Sequence, residues 1–102
     1  MAKINTIEAK RIYDEQLKLY SRIYNKEYEY VQELCVEWFI SNSIDLIKTS
    51  LIDGLNEKQV NELYEKVEDL SKLEILNDEQ REIFRKLVLQ FKIKINIRNV
   101  GL

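Results

Sequence analysis

Histidine and proline are both absent from this 102-residue chain, glycine occurs only at Gly54 and Gly101, and Cys35 is the sole cysteine. Without histidine there is no general base with an ordinary pKa near neutrality, no histidine-paired nucleophile and no carboxylate–histidine motif of the helical di-iron kind. A single cysteine forbids an internal disulfide and fits a reducing compartment, the cytoplasm, best. Sandwiches and barrels need many tight turns, so the scarcity of glycine and proline points to helices. The longest uncharged run, Trp38 to Ile44, is far short of the ~20 residues that span a bilayer, and charges at Lys3, Glu8, Lys10 and Arg11 interrupt any signal peptide.

What is present is ordinary in amount and uneven in placement. Apolar residues make up 45% of the chain, enough for a core, and the length fits one domain over residues 1–102. The formal net charge is -2, but residues 41–80 hold four Lys against ten Asp or Glu, while residues 81–102 hold six Lys or Arg against Glu82. The acidic part folds against the basic part, or the basic part faces a partner.

Periodicity gives the expected architecture, an all-α small helical bundle. From Ile7 to Ile40, Tyr13, Leu17, Tyr20, Tyr24, Tyr28, Val31, Cys35 and Trp38 fall on one stripe at 100° per residue. Ile12, Leu19, Ile23, Tyr30 and Leu34 fall on a second, and the phase is kept across Asn25-Lys26. One long N-terminal helix is expected, its apolar arc wider than the ~100° a surface helix needs. Asn5 with Glu8 has capping-box spacing, and Ser41-Asn42-Ser43 is the expected end.

Three shorter helices follow. The first runs from about Ile44 to Asp53, with Gly54 placed to end it in the left-handed region. Asn56 with Gln59, flanked by Leu55 and Val60, predicts the capping box and staple of the second, which buries Val60, Leu63, Tyr64, Val67 and Leu70. Asn77 with Gln80 opens the third over Ile83, Phe84, Leu87, Val88 and Phe91. Beyond Phe91 the alternation of Ile93, Ile95 and Ile97 with Lys92, Lys94, Asn96 and Arg98 leaves three readings of residues 92–98 open: the last helix fraying into an extended tail, a strand, or continuation of the last helix.

No cluster suggests catalysis, a cofactor or a metal. Glu62, Glu65 and Asp69 lack the turn that a calcium or magnesium loop requires, and neither glycine belongs to a phosphate-binding run. Cys35 reads as a small buried apolar residue. The expected role is non-catalytic: a cytoplasmic protein-binding module acting as a small inhibitor, adaptor or regulator. Its partner would be another protein or a second copy of itself. The candidate contacts are Tyr13, Tyr20, Tyr24, Glu27 and Tyr28 along the long helix, where tyrosine offers apolar area with a polar tip, and Lys92, Lys94 and Arg98 as steering charges. Glu27 stands out because it falls inside the apolar arc. A nucleic-acid-binding accessory role through Arg81, Arg85, Lys86, Lys92, Lys94 and Arg98 is the alternative, weakened by the acidic balance of the whole chain. A bacteriocin-immunity-type protein is the further alternative, on length and helical class alone, which small phage proteins also share; no motif points to either.

Overall fold

The structure, a computed structural model, describes residues 6–25 and 29–101, with side chains at 6–25 and 31–97. The described residues form four helices and one 3-10 turn: α1 (Thr6–Asn25), α2 (Glu29–Lys48), the turn over Leu51–Gly54, α3 (Glu57–Leu70) and α4 (Asp78–Gly101). No strand occurs among the described residues, and the class is all-α. The elements fall into two units, one ending at Leu55 and one starting at Asn56.

In the first unit the expected single helix from Ile7 to Ile40 is replaced by two antiparallel ones. The Gln32 Nε2 donates to the Ile23 carbonyl at 2.7 Å, and the Gln16 Nε2 donates to the Phe39 carbonyl at 3.1 Å. On one straight helix Gln16 and Phe39 would stand roughly 35 Å apart. The seam of α1 is Ala9, Ile12, Gln16, Leu19 and Ile23, all buried. It meets Cys35, Val36, Phe39, Ile40, Ser43 and Leu46 in the same core. A glutamine at the centre of the seam displaces the apparent apolar stripe toward the neighbouring tyrosines, which is why the sequence pattern looked broad and continuous. The apolar arc of the sequence is therefore consumed largely by a helical hairpin.

Ser41-Asn42-Ser43 does not end a helix but lies inside α2. The Ser43 hydroxyl donates back to the Phe39 carbonyl at 2.8 Å and accepts from the Gln16 Nε2 at 2.8 Å, while the Asn42 Nδ2 donates to the Gln16 Oε1 at 3.2 Å. These side chains find partners across the hairpin and over one turn, so they do not compete with the helical backbone. Burial of Gln16 and Ser43 is thus fully compensated, and no buried side-chain polar atom among the described residues lacks a partner.

The expected helix over Ile44–Asp53 is also redrawn. α2 continues to Lys48, and Ser50, at φ 60° and ψ 18°, takes the left-handed conformation expected of Gly54. Gly54 itself has no positive φ. The 3-10 turn that follows buries Ile52 against α1 and α2.

The second unit follows the sequence closely at its starts. The Asn56 Oδ1 accepts from the Gln59 amide at 2.8 Å while the Gln59 Oε1 accepts from the Asn56 amide at 2.9 Å, a complete capping box. Asn77 and Gln80 form the same reciprocal pair at 2.8 and 3.0 Å. Val60, Leu63, Val67 and Leu70 of α3 are buried, as are Phe84, Leu87 and Phe91 of α4, which packs against α3. The Arg81 guanidinium donates to the Glu74 carbonyl at 3.3 Å, tying the start of α4 to the connection before it.

Of the readings left open after Phe91, continuation of the last helix holds: α4 runs on to Gly101, and neither the extended tail nor the strand is present. The alternation of isoleucines arises from two helical stripes overlaid. Ile95 continues the core face from Phe91 by one turn and is half-buried, whereas Ile93 and Ile97 continue Leu89 on the opposite side.

Candidate functional site

The breaking of the long helix redistributes the proposed tyrosine edge. Tyr13, Leu17 and Tyr20 flank the seam of α1 and are half-buried, while Tyr24 is 43% exposed. The rings of Tyr20 and Tyr24 meet at 4.7 Å between centroids with a 42° tilt. Glu27 and Tyr28 lie outside the described residues, as do Asn5 and the side chains of Tyr30 and Arg98. Trp38 does not extend the tyrosine row. It lies beside Glu15, Ser41, Asn42 and Asp45 around a shallow hollow, and helical phase puts Glu15 on the flank of α1 away from the tyrosines. The tyrosine surface is therefore a short flank of one helix, already partly covered.

A different apolar surface emerges on α4. Leu89, Ile93 and Ile97 are 57%, 48% and 58% exposed, at spacing i, i+4, i+8. At 100° per residue they fall within an arc of about 80°, opposite the core face of Phe84, Leu87 and Phe91. Lys86 lies in that arc one turn earlier, and Lys92 and Lys94 occupy its two shoulders; Lys86 and Lys92 are exposed, Lys94 half-buried. From Ile83 to Gly101 the helix carries five Lys or Arg and no Asp or Glu. Lys92, Lys94 and Arg98 stand out in the sequence by their charge, whereas Leu89, Ile93 and Ile97 do not stand out as contacts. Their i, i+4, i+8 spacing was the available signal, hidden under an apparent period of two.

Titratable groups are engaged in local surface pairs. The Arg11 guanidinium donates to Glu8 and, at 3.2 Å, to Glu15, holding the Glu8 carboxyl below its usual range and Arg11 above its own. The Tyr64 hydroxyl donates to the Glu68 carboxylate at 2.9 Å, and this bond, with burial and the adjacent negative charge, pushes the phenol above its usual range. Glu62 and Glu65 line a shallow polar groove with Glu57, Lys58, Asn61 and Lys66, and the Lys66 ammonium stands 3.6 Å from Glu62. Among the described residues no three His, Cys, Asp or Glu side chains gather as metal ligands would, and no helix is long and apolar enough to cross a membrane. Cys35 is buried in the hairpin core.

Comparison with protein-family models, with curated proteins and with solved structures found no match.

Proposed function

We propose that this chain is a non-catalytic protein-binding module, a small inhibitor, adaptor or regulator that works by occupying a surface on another protein. The aliphatic row Leu89, Ile93 and Ile97 carries the proposal. Single exposed apolar residues are normal on protein surfaces, but a row aligned along one helix face, opposite the face that packs the core, is the arrangement of an unfilled contact. The tyrosine flank of α1 is the weaker candidate, since Tyr13, Leu17 and Tyr20 are already half-covered and have less area left to desolvate.

The test is capture from the native host with the whole protein and with its Ile93→Asp variant, both checked for helicity by circular dichroism. A partner retained by the first and lost by the second supports the proposal. Equal retention removes it. The nucleic-acid alternative draws on the same basic helix, but Arg81 is engaged with the Glu74 carbonyl and Arg85 with Glu82 at 3.1 Å. Absence of binding to duplex DNA and single-stranded RNA at low ionic strength would eliminate it.

A further inference from the structure

We propose that the outer face of α4 docks an acidic amphipathic helix of a partner protein, its apolar stripe laid on Leu89, Ile93 and Ile97 and its carboxylates set against Lys86 and Lys92. This deepens the protein-binding proposal and rests on it, adding the charge and secondary structure of the partner.

The occupant follows from what the surface offers. A row at i, i+4, i+8 is one of the ridges by which helices pack into each other's grooves, and its length of about 12 Å covers a little over two turns. An extended peptide gains affinity by pairing with a free sheet edge, and α4 offers none because its amides are committed to the helix. Charge then chooses among helical occupants. With no Asp or Glu between Ile83 and Gly101, the rim of the stripe is of one sign, and a carboxylate-bearing helix is its complement.

The same features disfavour the other occupants. A second copy of this face would offer the cations of the first no counterion, since neither carries an Asp or Glu between Ile83 and Gly101 to meet Lys86 and Lys92. Phosphate backbones would leave the aliphatic row uncovered between the cations. A bilayer surface needs a broad apolar face with aromatic or leucine-rich area. Here Gln90 and Asn96 border a narrow stripe, and the aromatic residues of α4, Phe84 and Phe91, are buried in its core face.

The experiment uses the full chain and synthetic helical peptides of about 20 residues, read by fluorescence anisotropy at low and physiological ionic strength. One peptide carries a leucine stripe with a glutamate rim. Its twins replace every glutamate by lysine, or place a proline at the centre. The glutamate peptide should bind, about tenfold or more tightly than either twin, with affinity falling as salt rises. Ile93→Asp should abolish that binding, and Lys86→Glu with Lys92→Glu should invert the preference between the charged twins. Circular dichroism confirms that each variant is folded, and Ile93→Gln serves as a milder change if Ile93→Asp is not.

Equal binding of the glutamate and lysine twins overturns the inference and leaves aliphatic protein recognition standing, whereas an Ile93→Asp variant that still captures its host partner overturns both. Failure of every peptide to bind also overturns the inference, as does equal binding of the proline twin. So does tighter binding to phosphatidylglycerol vesicles or duplex DNA, or sedimentation of the protein alone as a dimer that Ile93→Asp dissolves.

Discussion

Gln16 shows how a residue that looks misplaced in a helix stripe can be the centre of a core. Its amide uses both ends, donating to Phe39 and Ser43 and accepting from Asn42. Gln16→Ala would leave those groups short of partners and open a small void. A loss of about 2–4 kcal/mol is expected, read as a lower urea midpoint with an unchanged slope. Tyr64 gives a separate, pH-dependent expectation. Its phenol is held above its usual range in the folded state, so the folded protein keeps a proton that the unfolded chain gives up first. The stability from Tyr64 is complete below the unfolded value of about 10 and declines as pH rises through the folded one. Urea melts across that alkaline window should show the decline in the parent and a flatter profile in Tyr64→Phe. A buried Cys35 should also resist a thiol reagent until the hairpin opens, so reagent uptake in rising urea should follow unfolding of that unit. Uptake at the rate of a free thiol in the native protein would contradict that burial.

At the scale of elements, the helix starts at Asn56 and Asn77 each rest on a reciprocal pair of hydrogen bonds, and Asn→Ala at either should cost about 1 kcal/mol in thermal or urea unfolding. Ser50 is the opposite case, a left-handed residue without glycine's freedom. A left-handed conformation costs a substituted residue about 1–2 kcal/mol, and glycine gives back about 0.5–1 in chain entropy. Ser50→Gly should therefore raise stability by roughly 0.5 kcal/mol, whereas a drop would mean the Ser50 side chain contributes something further. These elements show what was legible. Asn56 with Gln59 and Asn77 with Gln80 were readable because a capping box is local, involving residues three apart. The hairpin was not, because its evidence lies in Gln16 meeting Phe39 and Ser43 from 23 and 27 positions away. The same nonlocal bonds absorbed the helix-breaking tendency of Asn42 and Ser43. At the far end, Ile93, Ile95 and Ile97 fit two periods equally well, and Ile95 decided it by continuing the face of Phe91. Of the candidate contacts, Lys92 and Lys94 were found by charge alone, while Leu89, Ile93 and Ile97 escaped because periodicity assigned apolar residues to the inside.

For the whole molecule, each unit has its own buried side chains, centred on Phe39 in the first and on Phe84 and Phe91 in the second. The outer stripe of α4 belongs to neither core. Replacing Leu89, Ile93 and Ile97 together by Gln should lower unfolding free energy by no more than about 1 kcal/mol, since about half of each side chain's surface stays in water and Gln keeps the methylene stem. A loss above about 2 kcal/mol would show instead that the stripe is part of the internal packing. The Gln16 contacts have one more consequence, and it concerns alignment rather than strength. Sliding α2 past α1 by a single turn would carry Ser43 roughly 5 Å away and leave the amide facing aliphatic neighbours. An all-aliphatic seam would tolerate that slip, whereas this one accepts a single setting, so Gln16→Leu with Ser43→Ala, which removes the polar groups from both sides, should let the two helices lose their fixed offset.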